Sequence, residues 1–268
     1  MSVTGSTPEK ADFFLLDLAF DKQALRQLYE ACSRPDYEPL YRGTPFQNVM
    51  LEGPVLVRPV EKGDRELLET KCLQGDLIGV QAPGLSLDEM AEYLRQWLRV
   101  KTPEGSTAVF RLADPRLYPA LLPSLEDHER NLLLGPAQAF FAGSGESAWT
   151  LLPVEGRPVE PLAGPFPLRW EHLKALQQWR EDQLLSDWAG EMSRSKARLA
   201  NWFQHLKAAG VGSEYDIWYA CQRLSDRGFD RNLEEADTRA LMATEPRHED
   251  LAAWADGLAV VVHGGEPA

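Results

Sequence analysis

Three charged side chains lie close together near the middle of the chain, and their chemistry is that of binding a charged group. Arg111, Asp114 and Arg116 fall within the segment TAVFRLADPRLYPALLPSL, residues 107–125. One interpretation is structural, with two guanidinium groups bracketing the carboxylate and fixing a corner of the backbone. A second is functional, with an arginine displayed there to bind a carboxylate of a partner. A third, catalytic interpretation has no neighbouring nucleophile or base to support it.

A strand followed by a helix must position these three side chains. Residues 108–112 form a short apolar run that is typical of a strand, which places Arg111 on that strand. Asp114 is a favourable helix N-cap, and Pro115 suits the first helical position because its missing N–H is not needed there. Arg116 is then expected in the first helical turn. Two later prolines limit how regular that helix can be: Pro119 and Pro123.

The composition is that of an acidic protein with enough apolar residues for a core. The 268 residues carry a formal net charge of −13 and are 44% hydrophobic. Such a chain is a poor partner for nucleic acid and for anionic membrane surfaces. No apolar run approaches the about 18 residues that a membrane-spanning helix needs, and the first residues lack the pattern of a signal peptide. We therefore expect a cytoplasmic protein with no nucleic-acid or membrane partner.

Residue types that often hold metals and cofactors are present without the spacing that such sites need. The five histidines lie neither near one another nor beside a cysteine at metal-ligand spacing. A P-loop and a G-x-G-x-x-G motif are both missing. We expect no metal, no cofactor and no enzymatic activity. Reduced, mostly buried thiols are expected of the three widely spaced cysteines: Cys32, Cys72 and Cys221.

The order of predicted elements divides the chain into two lobes. Strands and helices alternate over residues 12–153, which predicts an α/β N-terminal lobe with a mixed β-sheet flanked by helices. Its clearest helix begins at Ser86, which forms a capping box with Glu89. Residues 154–167 are rich in proline and glycine and are predicted to be a linker. Residues 168–258 read as helix throughout, which predicts an all-helical C-terminal lobe.

Tryptophans are concentrated in the predicted helical lobe, where three of them are spaced nine residues apart. On one continuous helix Trp170 and Trp188 share a face, and Trp179 points the opposite way. One face can pack on the core of the lobe, so the other needs a cover. That cover is either the rest of the chain or a partner protein, since tryptophan is enriched at interface hot spots. Both interpretations remain open on the sequence.

Three segments resemble one known family in order and spacing. The run FRLADPRLYPALLPSL, within residues 107–125, resembles the signature of the family called domain of unknown function 4123. Two further blocks match it: LYRGTPFQNVMLEGPVLVRP at residues 40–59 and SLDEMAEYLRQWLRVKTPEG at residues 86–105. The resemblance covers about residues 13–153 and does not extend into the helical lobe.

The resemblance implies a chaperone or adaptor of the bacterial type VI secretion system. Such a protein would bind the N-terminal region of a secreted effector without a cofactor and help to load it onto a VgrG-type spike or its PAAR tip. The partner-binding candidates are then Arg111, Asp114 and Arg116 together with Trp170, Trp179 and Trp188. Because clients differ between systems, we expect client specificity to lie in the helical lobe, residues 168–258.

Two other functions remain open on the sequence. An immunity-type inhibitor, which neutralises a toxin rather than delivering it, would also suit the acidic composition. An enzyme with a dispersed site built from Arg111, Asp114 and Arg116 is the less favoured alternative, because it would need a pocket that converges on a base.

Overall fold

The computed structural model describes residues 10–143, 148–154, 164–239, 241 and 248–263. Residues 155–163, most of the predicted linker, lie outside this described part. The chain divides into two compact units, Met1–Gln177 and Gln178–Ala268. The first contains the β-sheets with their helices and the second is helical, so the predicted fold class is confirmed.

Nine strands are described, numbered in chain order: β1 (Phe13–Asp17), β2 (Asp36–Pro39), β3 (Pro54–Arg58), β4 (Ile78–Gln81), β5 (Arg99–Lys101), β6 (Thr107–Val109), β7 (Ala139–Ala142), β8 (Trp149–Leu151) and β9 (Phe166–Pro167). Six of them form one sheet in the order β2-β3-β1-β4-β7-β8, with antiparallel neighbours throughout. β1, β3 and β4 consist almost entirely of buried residues, because a sheet covered on both faces needs apolar side chains at every position.

A second sheet of three short strands has the order β6-β5-β9. β5 and β6 pair antiparallel as a hairpin, whereas β9 pairs with β5 in parallel. This sheet therefore contains both antiparallel and parallel strand pairs, as expected of the mixed β-sheet that the sequence predicts for this lobe. β9 also gives structure to the end of the predicted linker, because Phe166 is buried and its ring lies 4.8 Å from that of Trp97.

The described helices are α1 (Ala24–Ala31), α2 (Lys62–Gln74), α3 (Leu87–Arg95), α4 (Tyr118–Leu121), α5 (Asp127–Leu134), α6 (Trp170–Met192), α7 (Lys196–Ala208), α8 (Glu214–Asp226), α9 (Glu235–Thr238) and α10 (His248–His263). α3 begins as predicted, with the Ser86 hydroxyl and the Glu89 carboxylate forming a reciprocal capping box. Its apolar stripe is buried: Leu87, Met90, Ala91 and Leu94.

The helical unit is built around one apolar core, which Trp202, Phe203 and Leu206 of α7 enter from one side. α6 ends at Met192, after which Ser193 adopts a φ of 50° and Ser195 caps α7.

One local expectation for the first lobe is wrong. The predicted strand at residues 108–112 is β6, which ends at Val109, so Arg111 lies beyond it. None of the helices in the described part of the chain is long and apolar enough to cross a membrane.

Candidate functional site

The corner after β6 is organised by the buried carboxylate of Asp114, which is 2% exposed. Asp114 caps a 3-10 helix at Pro115–Leu117, because its Oδ1 accepts a hydrogen bond from the backbone N–H of Arg116 at 3.1 Å. The Arg116 guanidinium donates to the same carboxylate through Nε at 2.9 Å and Nη2 at 2.8 Å. The predicted N-cap at Asp114 and the predicted ion pair between Asp114 and Arg116 are therefore confirmed.

Arg111 does not join this pair, so the predicted Arg–Asp–Arg bracket is wrong. Its Nη2 donates instead to Asp17 Oδ2 at the end of β1, at 2.9 Å. The reason is that the strand ends at Val109, and the turn that follows directs Arg111 towards the six-stranded sheet. The Arg111 side chain is 52% exposed, so a guanidinium with five N–H donors keeps some of them accessible to solvent.

Two aromatic residues fix the corner against the sheet. The buried Tyr118 hydroxyl donates to the carbonyl of Leu112 at 2.6 Å, and the Tyr118 ring stacks on Trp149 of β8 with centroids 4.4 Å apart. Trp149 Nε1 in turn donates to the carbonyl of Pro115 at 3.0 Å. Burial raises the pKa of Tyr118 well above its ordinary value, so its hydroxyl remains a donor at any physiological pH.

A groove lies beside this corner and consists of two adjoining cavities. One, of about 340 Å³, is lined on one side by residues 109–113 and on the other by Asp17 and Tyr41. The second, of about 460 Å³, extends past Leu18, Lys22 and Leu51, and the two share Ala19 and Glu52. We call this the corner groove.

Large apolar side chains surround the corner groove without being buried. Val109 is 50% exposed, Leu51 53% and Phe20 48%. The guanidinium of Arg116 lies over the Phe20 ring, 4.2 Å from its centroid, which fixes that ring next to the corner. The groove thus combines exposed apolar groups with a half-exposed arginine, the mixture that is enriched in protein–protein interfaces.

One wall of the corner groove depends on a glycine. Tyr41 packs directly on Gly53, and a Cβ atom added there would lie only 2.3 Å from a carbon of the Tyr41 ring. Phe46 supports Tyr41 from its own side, with ring centroids 4.9 Å apart. The segment at residues 40–59 therefore supplies this wall, opposite the segment at residues 107–125.

The third segment, residues 86–105, contacts the segment at residues 40–59 and holds it in place. Arg95 of α3 pairs with the buried Glu38 of β2 and also donates to the carbonyl of Leu40 at 3.3 Å. Arg42 binds the second oxygen of Glu38 at 2.7 Å. The three segments singled out in the sequence are thus joined in space through one buried carboxylate and one groove.

A second ionic cluster, which the sequence did not indicate, joins α5 to the start of α6. Arg169 binds both carboxylate oxygens of Glu129, at 3.0 and 2.8 Å, and the carbonyl of Ser124 at 3.0 Å. The buried His172 accepts at Nδ1 from the Arg169 backbone and places Nε2 3.2 Å from Glu129. Burial would raise the pKa of Glu129, but the hydrogen bond from Arg169 lowers it on balance. We call this cluster of Glu129, Arg169 and His172 the clasp, because it links α5 to the start of α6.

The three candidate tryptophans of α6 differ in exposure. Trp188 is 5% exposed and packs in the core of the helical unit, with its ring 6.0 Å from Phe203. Trp179 is half-buried, and Trp170 is 62% exposed. Trp188 is therefore placed where a partner does not reach it, whereas Trp170 is accessible.

The thiols lie in apolar surroundings. All three cysteines are buried and unpaired, as expected. Burial raises the pKa of Cys72 and of Cys221 to about 12, so both remain protonated and unreactive at neutral pH. Within the described ranges, no cluster of three or more histidine, cysteine or acidic residues could hold a metal ion.

Comparison with known proteins gives one finding for the first unit. The family model described as "Domain of unknown function (DUF4123)" matches residues 13–132. This range includes the corner groove and the three sequence segments that meet around it. No curated protein and no solved structure matches the chain.

Proposed function

Because residues 13–132 of this chain form a domain of the DUF4123 family, we propose that the protein is an adaptor that binds a type VI secretion effector and helps to load it onto the secretion spike. The observation that carries the proposal is the corner groove. It lies where the family's segments meet, it mixes apolar with charged side chains, and the groups around it are typical of protein interfaces. The interaction is non-covalent and needs no cofactor.

Within the groove, Arg111 is the residue best placed to contact the effector. It is half-exposed at the wall of the cavity, and Asp17 holds one end of its guanidinium in a fixed position. Arg116 has a different task, since its guanidinium neutralises the buried Asp114. Asp114 therefore acts through Arg116 and does not contact the partner.

Trp170 is the second proposed contact, because its large exposed ring is an anchor of the kind found at interface centres. Trp179, half-buried on the same helix, remains a candidate. Client specificity within residues 168–258 then depends on these two residues and not on Trp188.

The proposal is tested by co-expression with the effector candidate encoded beside this gene. We expect a complex that survives size-exclusion chromatography and that needs the N-terminal region of the effector. Arg111→Ala should weaken binding about tenfold, as the loss of a charge-assisted hydrogen bond requires. The matched control is Arg26→Ala, which removes an exposed arginine from α1. Equal affinity for both variants and wild type would exclude Arg111 from the interface.

A second experiment separates an adaptor from an inhibitor. We propose that the effector–adaptor complex also binds a VgrG-type spike or its PAAR tip, which an immunity-type inhibitor has no reason to do. Purified spike protein should retain the effector more strongly when this chain is present. Neutralisation of the effector's toxicity without any gain in spike binding would favour the inhibitor and contradict the adaptor.

A further inference from the structure

The hairpin formed by β5 and β6 has two faces of opposite character. Val100, Ala108 and Phe110 are buried or half-buried on one face. The other face is exposed, and its side chains are Arg99, Lys101, Thr107 and Val109. This alternation is that of strands with one face on the core.

The pairing pattern shows where the backbone of β6 points. The N–H of Phe110 donates to the carbonyl of Leu98 at 3.0 Å, and that of Thr102 to Ser106 at 2.8 Å. Hydrogen-bonded and non-hydrogen-bonded pairs alternate along an antiparallel ladder. Ala108 is therefore bonded to β5, and the N–H and C=O groups of Thr107 and Val109 point away from it.

That outer edge of β6 is open in the part of the chain that the structure describes. β6 is the terminal strand of its sheet, and its single described partner is β5. Four backbone groups, two on Thr107 and two on Val109, are thus available to an incoming strand. Open edges of this kind are templates for strand addition. The open edge leads directly into the corner groove, which Val109 and Phe110 line.

The charge on the exposed hairpin face is opposite to that of the whole protein. The chain carries a net charge of −13, but Arg99 and Lys101 stand together on this face. Neither of them forms an ion pair with any residue that the structure describes. Arg111, just beyond the strand, adds a third, half-exposed positive charge. The nearby acids are Glu104 in the hairpin turn, Glu52 at the groove and Asp17, which pairs with Arg111 and leaves Arg99 and Lys101 as the uncompensated charges.

We propose that an extended, acidic segment of the partner protein adds to β6 as a further strand. Its backbone pairs with Thr107 and Val109. Side chains of a strand alternate between two faces, so its acidic residues lie on the face of Thr107 and Val109, within reach of the long Arg99 and Lys101 side chains across β6, and its apolar residues lie on the face of Ala108 and Phe110. The ligand is therefore a β-strand of alternating acidic and apolar residues. This inference rests on the proposed adaptor function, because it names the chemistry of the segment that the adaptor binds.

The test uses the full chain and synthetic peptides. A peptide of alternating glutamate and valine is compared with one of alternating lysine and valine, and with a glutamate–valine peptide N-methylated at every second amide. We expect the first peptide to bind at least about tenfold more tightly than either comparator, because the others lack the charge or the backbone donors. Amide hydrogen exchange at Thr107 and Val109 should slow on binding, while that at Ala108 is already slow.

Two double variants of the protein locate the binding surface. Arg99→Glu/Lys101→Glu should reduce affinity for the glutamate–valine peptide by at least about tenfold. Arg26→Glu/Lys62→Glu changes the net charge equally at exposed positions on α1 and α2 and should leave it unchanged. Circular dichroism confirms that each variant is folded. Equal losses in both variants, or equal binding of the N-methylated peptide, would overturn the proposed strand addition.

The two proposals fail in distinguishable ways. If the effector binds wild type and the Arg99→Glu/Lys101→Glu variant equally, the adaptor function stands and the docking surface is wrong. If the effector does not bind but the glutamate–valine peptide protects Thr107 and Val109, the docking surface stands and the partner belongs to another class. Dimerisation through β6, detected as concentration-dependent protection of the same amides without peptide, would contradict the proposed occupant.

Discussion

The two units of this protein differ in how many large apolar side chains they expose, because nearly all of the exposed ones in the described residues belong to the first unit. In the helical unit, tryptophan indoles are bonded internally: Trp202 donates to the carbonyl of Arg231 at 2.9 Å and Trp254 to that of Asp237 at 2.7 Å. In the α/β unit, Phe20, Leu51 and Val109 surround the corner groove and are about half exposed. The tryptophans of the helical unit are therefore buried or half-buried, whereas Trp170, which belongs to the first unit, is 62% exposed. The exposed apolar surface around the corner groove is made of smaller residues that the sequence does not single out.

The largest expected effect concerns the helical core. Trp188→Ala should lower the free energy of unfolding by about 3–5 kcal/mol, the usual cost of removing a buried aromatic side chain. Trp170→Ala, on the same helix but 62% exposed, should change it by less than about 0.5 kcal/mol. Chemical denaturation measures both. A small effect at Trp188 would place that residue at the surface and break the contrast between the units.

The wall of the corner groove gives the next effect. Gly53→Ala places a methyl group 2.3 Å from a carbon of the Tyr41 ring, so the ring must move, at a cost of about 1–3 kcal/mol. The peptide and effector affinities should fall with it. The control is Gly212→Ala, since no atom lies within 4 Å of the added Cβ there. Unchanged stability in Gly53→Ala would mean that Tyr41 is not packed as described.

The capped corner should be sensitive to the charge of Asp114. Asp114→Ala removes the cap and both hydrogen bonds from the Arg116 side chain, and should cost about 2 kcal/mol. Asp114→Asn keeps an acceptor for the Arg116 backbone N–H and should cost less. Arg116→Ala should also destabilise the fold, because it leaves the carboxylate of a 2% exposed residue without its guanidinium. Thermal unfolding of the three variants checks this order.

The smallest effect is a dependence of stability on acid pH. The ordinary pKa of a glutamate is 4.5, and that of Glu129 in the folded protein is lower because Arg169 binds it against the opposing effect of burial. The stabilisation is therefore fully present above about pH 4.5 and is lost as the pH falls through the lowered value. Glu129→Gln should flatten this acid limb of the stability profile. An unchanged profile would show that the clasp does not contribute.

Local features of the fold were predictable from sequence, whereas the site was predictable only in part. The Ser86–Glu89 capping box and the Asp114 cap involve residues two or three positions apart, so the signal lies within one turn. The partner of Arg111 is 94 positions away, and that of Arg169 is 40 positions away. Sequence spacing carries no information on such pairs. The sequence therefore pairs Arg111 with the nearby Asp114, whereas the fold pairs it with the distant Asp17.

The exposure of an aromatic residue is equally non-local. A nine-residue spacing correctly places Trp170, Trp179 and Trp188 on one helix, but a single straight helix assigns the same face to Trp170 and Trp188. Their exposures differ because Trp188 lies opposite Phe203 of α7, whereas Trp170 lies near the start of α6 among the residues of the first unit. Helical periodicity defines directions, and the neighbouring elements decide what lies in each direction.

Hydrogen–deuterium exchange on the co-purified effector complex tests the central claim most directly. The account predicts that effector binding slows exchange in the peptides that cover residues 17–20, 40–53 and 107–113, the segments that surround the corner groove and the open edge of β6. The peptides from α7 and α8, which carry the helical core, should exchange as in the free protein. Protection concentrated in α7 and α8, with none around the groove, would contradict it.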